Sequence, residues 1–403
     1  MNNLAIEGGA PLRERPYPSW PQWDEAEERA LLDALHSGGW WAPAGSHVKA
    51  FEEAFARQHD ARYGVAVASG SAALQVSLQA ARIDWGDEVI TTSYTFIATA
   101  SSCLLAGAIP RFVDILPDTW NLDPSQIEAV ITPRTKAILP VHMAGEPADM
   151  DAITDIARRH GLIVIEDACQ AHGATWQGRK VGAIGEMGCF SFQASKNITG
   201  GEGGIVLTND EAWAERCWSV ANVGRQRRGD WYLEIGMSSN YRLSEWAAAV
   251  LGAQLARLEA QAELRARNAV YLAEGLSEIP GLEPVRGDPR VTRNAYHLFK
   301  LWYRPEHYGG HTASEFSAAM SAEGIPVRTG YTEPLSRHHI VAARTAFIRD
   351  RLGLPAEPPG SYPVCEQVCA RGLWIPQNVL LGSRQDMDDI IQAAWKVQRA
   401  WST

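Results

Sequence analysis

The sequence predicts an α/β protein: a large domain built on a doubly wound, mostly parallel sheet, followed by a smaller C-terminal α+β domain. Three observations predict it. Short apolar runs alternate with helical patterns from about residue 62 to 208. Those runs are continuous in Val and Ile rather than alternating, as expected of strands buried on both faces. Beyond a Gly- and Pro-poor stretch at 242–276, the pattern shifts to mixed strand and helix.

Taken in order, the strand candidates are YGVAVA, DEVITTS, IPRFVDI, KAILPV, LIVIED, GCFSF and GGIVLTN. Between most of them lie helical stretches: SAALQVSLQAAR, FIATASSCLLAG, DPSQIEAVI and MDAITDIARRHG. Strand and helix in alternation give parallel βαβ units. The stretch 242–276 reads as one or two long helices leaving the large domain. After it come strand-like HLFKLWY, helix-like SEFSAAMSAEG, a Pro-rich loop around 354–363 and a closing helix, SRQDMDDIIQAAWKVQRAW. The expected division is an N-terminal arm (1–20), a large domain (21–255) and a small domain (256–403). A chain of 403 residues suits one large and one smaller domain.

Composition excludes several classes. A net charge of −10 argues against nucleic-acid binding through phosphate contacts. Apolar content of 46% and charged content of 21% are those of a globular protein with an ordinary core. No apolar run reaches bilayer-spanning length, and the N-terminal segment lacks a signal peptide's apolar stretch, so a cytoplasmic location is expected. Six scattered cysteines suggest free thiols, and Cys365 with Cys369 lacks the companions of a zinc site; no metal is expected. Among fifteen tryptophans, the adjacent Trp40 and Trp41 lie in a Gly/Pro-rich segment, suited either to packing or to a pocket or subunit contact.

In an open α/β sheet, ligands bind beyond the C-terminal strand ends. Four segments fall there. Ala68-Ser69-Gly70-Ser71-Ala72 opens a helix with small residues and hydroxyls, which suits a phosphate as well as an ordinary N-cap. Tyr94-Thr95-Phe96 supplies an aromatic that either stacks on a planar ring or packs in the core. Glu166-Asp167 ends a buried strand, where a desolvated carboxylate needs a partner such as a protonated pyridine nitrogen, a salt bridge or a capped helix. Ser191-Phe-Gln-Ala-Ser-Lys196 sets one lysine between a strand end and the loop ITGGEGG. A lysine held in that way becomes a Schiff-base former if its surroundings lower its pKa. Together the four ask for a ligand with a phosphate, a basic planar ring and an aldehyde, which pyridoxal 5′-phosphate provides. No GxGxxG follows the first strand and no GxxxxGK[ST] occurs, so nicotinamide and ATP sites lack their usual support.

The chain resembles the pyridoxal-phosphate-dependent sugar aminotransferases of the DegT/DnrJ/StrS type, which have aminotransferase fold type I. The motifs that carry the resemblance include FEEAFARQHDARYGVAVASGSAAL, DEVITTSYTFIATA, PVHMAGEPADMDAI, IEDACQAHGA, FSFQASKNITGGEGGIVLTND and SSNYRLSEWAAAVLGAQL. The resemblance implies that Lys196 forms the Schiff base and then shuttles protons, and that Asp167 pairs with the pyridine nitrogen. Gln170 is implied near the ring oxygen and Phe96 on the ring face, with Gly70, Ser71 and Ser191 on the phosphate. Asn240 is implied to reach the cofactor phosphate of a partner subunit, giving a homodimer with shared sites. Tyr331 and His338, in GYTEPLSRHH, match a segment near the substrate. Ser71 departs from the family's usual Thr but keeps the hydroxyl.

The implied reaction is a ping-pong transfer of an amino group from L-glutamate or L-glutamine to a keto group. The WPQWDEAE, GGWW and PVHMAG segments resemble the branch acting on keto-cyclitols and on aminohydroxybenzoate formation. A scyllo-inosose-like cyclitol is the expected acceptor. The alternatives are a nucleotide-linked keto sugar and a dehydrating or aromatising enzyme of the aminohydroxybenzoate synthase type.

Overall fold

The computed structural model describes residues 3–228, 230, 232–356 and 360–402. Strands β1 (Tyr63–Val67), β2 (Glu88–Thr92), β3 (Ile109–Val113), β4 (Thr135–Leu139) and β5 (Ile163–Asp167) come first. A short hairpin, β6 (Thr175–Trp176) and β7 (Arg179–Lys180), then precedes β8 (Met187–Ser191) and β9 (Gly204–Thr208). Leaving the hairpin aside, these strands form one seven-stranded sheet of order β1-β9-β8-β5-β4-β2-β3. Strand β9 runs antiparallel to both of its neighbours, and every other pair along the row from β8 to β3 is parallel. The C-terminal ends of β1, β2, β5 and β8 therefore share one edge, where the sequence places its four candidate segments.

The helices that cover this sheet are α1 (Glu25–Ser37), α2 (His47–Gln58), α3 (Gly70–Ala80), α4 (Ala98–Leu105), α5 (Met150–His160) and α6 (Glu211–Ala221). Both faces are dry, and the alternation of Cβ directions along a strand divides the residues between them. On β4, Ile138 joins the cluster of Phe51, Phe55, Ile153 and Phe190, whereas Ala137 and Leu139 join Leu74, Val76 and Val206 on the other face. Burial on both sides explains why the strands read as unbroken apolar runs.

The segment DPSQIEAVI departs from expectation. It forms two single-turn 3₁₀ helices, Pro124–Gln126 and Glu128–Val130, rather than an α-helix. Asp123 caps the first turn through the Ser125 amide, and Pro133 follows closely, so too few residues remain to propagate an α-helix.

The stretch 242–276 resolves into two helices, α7 (Glu245–Leu255) and α8 (Leu258–Ser277). Beyond them lie β10 (Leu282–Pro284), β11 (Val291–Arg293), β12 (Leu298–Tyr303), β13 (Arg328–Thr329) and β14 (Gly372–Pro376). An antiparallel four-stranded sheet of order β10-β12-β14-β13 packs with α9 (Ala313–Ala322), while β11 pairs back onto β6. Helices α10 (His339–Arg351), α11 (Pro363–Arg371) and α12 (Arg384–Trp401) complete this part of the chain. The small sheet has its own apolar cluster, which includes Leu272, Phe299, Phe316, Ile375 and Ile390.

Three polar ties seat the small sheet against the large one. Lys300 on β12 donates to Glu146 at 2.7 Å, a pair buried from solvent. Asp114, just past β3, accepts the amides of Val364 and Cys365 at the start of α11, each at 2.9 Å. Asn197, next to Lys196, donates to the Ala295 carbonyl at 2.7 Å. The N-terminal segment lies on the small unit: Leu4 enters its core, and the Arg13 guanidinium bridges Asp386 (2.7 Å) and Asp389 (2.5 Å). All six cysteines are free thiols, and among the described residues no helix is long and apolar enough to cross a membrane.

Candidate active site

A cavity of about 760 Å³ opens at the shared edge of the sheet, beneath the small unit. Gly70, Ser71, Phe96, Asp167, Gln170, Ser191, Lys196 and Tyr331, all singled out from the sequence, line it. Each reaches it for a local reason.

Ser69 caps α3 by accepting the Ala72 amide at 3.1 Å, so the helix begins at Gly70, at the cavity wall. A side chain at Gly70 has no room: a Cβ there would sit 2.6 Å from Ser191 Cβ and 3.0 Å from Cys169 Sγ. That close approach brings the first turn of α3 beside the end of β8. The result is a helix N-terminus flanked by two hydroxyls, Ser71 and Ser191, which is an anion-binding arrangement. We expect Gly70→Ala to cost about 1–3 kcal/mol of stability by overpacking and to weaken phosphate retention. Denaturant melts and cofactor titration check it.

Asp167 ends β5, buried and facing the cavity. Its Oδ2 accepts the Thr99 hydroxyl at 2.9 Å and its Oδ1 the Cys169 amide at 3.2 Å. Thr99 spends its proton on Asp167, so Thr95 donates to Thr99 in turn, at 2.9 Å. These bonds orient the carboxylate and leave it able to meet a further cationic donor from the cavity. Behind it, Glu166 is fully buried. It accepts the Gly182, Ile184 and Gly185 amides at 2.7–2.8 Å and His142 Nε2–H at 3.0 Å. Burial works against the Glu166 charge, but the His142 and amide hydrogen bonds outweigh it and hold the carboxyl below its ordinary range. A depressed native pKa stabilises the fold above the unfolded value of 4.5, and this contribution is lost as pH falls through the folded value. Denaturation midpoints of the native protein and of Glu166→Gln are thus expected to differ most at neutral pH and to converge under acid.

Lys196 is partly buried at the turn after β8, its backbone fixed by a bond to the Gln193 carbonyl at 2.8 Å. Burial pushes its amine below the ordinary lysine value, although Cys169 and Asp167 pull it back. A lowered pKa supplies the neutral amine that nucleophilic and general-base work requires. Gln170 accepts the Ala144 amide at 2.7 Å through Oε1 and bonds Tyr331. Burial raises the Tyr331 phenol, so it stays protonated at neutral pH. Tyr331 also packs edge-on against Tyr94 and Trp374, each at 5.1 Å between centroids. Phe96 is 56% exposed, an aromatic face turned to the cavity rather than to the core.

Two of the sequence-derived residues are elsewhere. Asn240 is exposed and stands outside this cavity, with its Oδ1 on the Arg242 amide at 3.2 Å. His338 does not line this cavity. The turn Leu335–Arg337 buries Leu335 against the α4 and α10 cluster and carries the chain away, so His338 stacks on His339 at the head of α10. Sequence reasoning missed Thr99, Trp20, His297 and Gln377. Trp20 arrives from the N-terminal arm and is tied to the Ala194 carbonyl at 2.9 Å. Nothing in the local sequence marks these four, because each is set at the cavity by a distant segment. Trp40 and Trp41 are about half exposed and do not line the cavity; Trp40 leans on Trp246 at 5.7 Å.

A lysine, a carboxylate and an anion cradle around one cavity at the strand ends of this fold define a catalyst of the transferase class. Residues 22–394 match the model of the DegT/DnrJ/EryC1/StrS aminotransferase family, and the chain belongs to that family. It is 39% identical, over 99% of its length and 98% of the relative's, to a protein of Streptoalloteichus tenebrarius provisionally assigned as L-glutamine:3-amino-2,3-dideoxy-scyllo-inosose aminotransferase. It is also 39% identical to the L-glutamine:2-deoxy-scyllo-inosose aminotransferase of the same organism, over 98% of both chains. Among solved structures, 3-amino-5-hydroxybenzoic acid synthase superposes with a TM-score of 0.87 at 33% identity, covering 96% of this chain and all of that one. The fold is accordingly that of the aminotransferases, and the chain is an enzyme.

Proposed function

We propose that this enzyme transfers the amino group of L-glutamine to the keto group of a deoxy-scyllo-inosose-like cyclitol, using pyridoxal 5′-phosphate. The observation that carries the cofactor reading is the cavity itself. Its Gly70 cradle admits no Cβ beside Ser191, it presents an exposed Phe96 face, and its Lys196 amine has a lowered pKa near the oriented Asp167. These residues fit the group. Gly70, Ser71 and Ser191 would hold the phosphate, Phe96 would cover the ring, Gln170 would neighbour the ring oxygen, and Asp167 would meet the ring nitrogen. When bound, the cofactor supplies a carbonyl that captures amines and a ring that takes up the electron pair released with a C–H proton.

The chain's own residues do the rest. Thr95, Thr99 and the Cys169 amide keep the Asp167 carboxylate aimed at the cavity, where its charge would favour a protonated ring nitrogen on the bound cofactor. Lys196 Nζ, whose charged form burial disfavours, takes a proton from the donor carbon and delivers one to the acceptor carbon in the second half-reaction, when the acceptor has replaced the donor. Tyr331 and the small unit shield that exchange from bulk water.

Glutamine is preferred to glutamate as donor, and a cyclitol to a nucleotide sugar as acceptor, because the cited relatives carry those substrates in their names. The decisive experiment is a matrix of donors (L-glutamine, L-glutamate) against acceptors (2-deoxy-scyllo-inosose, its 3-amino-2,3-dideoxy analogue, nucleotide-linked keto sugars). Transfer from L-glutamine to the cyclitol ketones alone is expected; exclusive use of nucleotide sugars overturns the reading.

The proposal includes the arm, large-domain and small-domain division at 1–20, 21–255 and 256–403, supported by the separate apolar clusters about each sheet. It also includes a homodimer. Leu31, Leu32 and Leu35 on α1, with Trp40 and Trp41, are exposed together, and Asn240 stands outside its own chain's cavity, free to serve a second copy. Light scattering is expected to give twice the chain mass. A cytoplasmic site of action suits the six free thiols.

A further inference from the structure

Two side chains on the cavity wall that the reaction above does not use are locked in opposite hydrogen-bonding senses. Gln377, just past β14, is 2% exposed and lines the cavity. Its Oε1 accepts Nε–H of Arg265 at 3.0 Å and Nη2–H at 2.5 Å. A guanidinium only donates, so this amide cannot flip. The NH2 group, for which no hydrogen-bond partner is found among the described residues, is what Gln377 offers to the cavity.

His297, before β12, is the converse. It is 7% exposed, lines the same cavity, and meets Asn197 Oδ1 through Nδ1 at 3.2 Å. Asn197 spends its NH2 on the Ala295 carbonyl at 2.7 Å, so its oxygen faces the ring. Nδ1 of His297 therefore carries the proton, and the Nε2 lone pair is left without a protein partner. Burial, and after it the basic neighbours Lys196, His172 and Arg265, push the His297 pKa well down, so the ring stays neutral and keeps that lone pair.

Arg265 is the costly member. It is fully buried on α8, no carboxylate pairs with it, and its Nη1 lacks a partner; burial pulls its pKa down to about 9. Apart from Gln377, its hydrogen-bond partner among the described residues is Gln261 Oε1 at 3.4 Å. An unpaired buried cation destabilises the fold. The Trp20 ring, 5.6 Å from the guanidinium carbon, offsets part of that cost, and the two hydrogen bonds to Gln377 fix the orientation of one amide.

We propose that Gln377 and His297 read the hydroxyls of the acceptor ring: the Gln377 NH2 donates to one ring oxygen and His297 Nε2 accepts the O–H of another. Arg265 and Asn197 are the positioning residues. The inference rests on the cyclitol reading above and adds which residues recognise the polyhydroxylated ring. A fixed donor and a fixed acceptor discriminate strongly, since a ring lacking the matching hydroxyl leaves a buried polar group unpaired.

Gln377→Glu tests it. The carboxylate is isosteric, gives Arg265 a counter-ion, and replaces the donor by an acceptor oxygen. The variant is expected to melt at or above the native temperature while KM for 2-deoxy-scyllo-inosose rises at least about tenfold, the size of one misplaced buried hydrogen bond. The half-reaction with L-glutamine, followed by the cofactor's absorbance, is expected to stay within about twofold of native under the same assignment. Arg265→Lys, which still donates only, is expected to keep most of the acceptor affinity, whereas Arg265→Met frees the amide and loses it. Should the Glu variant not fold, Gln377→Met gives the same kinetic readout. An unchanged KM for the cyclitol in a folded variant overturns the assignment, as does an effect confined to the L-glutamine half-reaction. A native enzyme that accepts no cyclitol overturns the acceptor reading itself, and that outcome is visible before any variant is made.

Discussion

Lys196→Ala is expected to abolish transamination while leaving the fold intact. The side chain lies on a turn whose backbone bond to the Gln193 carbonyl does not depend on the amine. Its neutral form is favoured by burial, so truncation removes an unfavourable desolvation as well as the catalyst. General acid–base groups contribute about 10²–10⁴-fold, and a lysine that also holds the cofactor carbonyl contributes more. We therefore expect turnover at least about 10⁴-fold down, together with loss of the near-visible absorbance of the bound cofactor. Turnover and absorbance measured on one preparation, with a melting curve beside them, check it. A variant that transaminates at the native rate removes Lys196 from the mechanism.

Asp167→Asn has the second largest expected effect. The amide preserves size and its one oxygen can still accept from Thr99 or from the Cys169 amide, though not from both, so the stability loss is limited to about one hydrogen bond, about 1 kcal/mol. What disappears is the negative charge facing the cavity. Removing one partner of a desolvated ion pair costs about 3–5 kcal/mol, which corresponds to a drop in kcat of roughly 10²–10³-fold or more. Thr99→Val leaves the charge and removes only its aim, so a much smaller loss is expected, of the order of tenfold for about 1 kcal/mol. Stopped-flow measurement of the L-glutamine half-reaction separates the two variants. Equal losses would mean that orientation rather than charge is what Asp167 contributes.

The strands and their order along the chain were legible because each is buried on both faces and leaves a run such as LIVIE or AILPV. The cavity residues at strand ends were legible for a related reason: a buried strand that stops at Asp167 or Ser191, or that turns into a helix opening at Gly70, has to place a polar or small residue at the edge. Where the reading slipped, the local signal was short or was overruled from a distance. DPSQIEAVI carries helical residues but is too brief between its prolines to propagate a helix. His338 follows Tyr331 closely in sequence, yet burial of Leu335 draws it onto α10.

By itself, then, the sequence determined the sheet, the strand-end lysine, the carboxylate, the small-residue helix start and the resemblance that joins them. Those features are local: a burial period, a helix start, a glycine where no side chain fits. Only the tertiary structure decided the far wall of the cavity, where Trp20 arrives from the arm and His297 and Gln377 meet at one end of the small sheet, flanking the Leu298–Pro376 pair. Arg265 and Gln377 lie 112 residues apart, and Asn197 and His297 lie 100 apart. The polarity of each cavity-facing group follows from what its partner can donate or accept. A chain of hydrogen bonds across such separations leaves no periodicity in the sequence, and it exists only once the small sheet is seated on the large one.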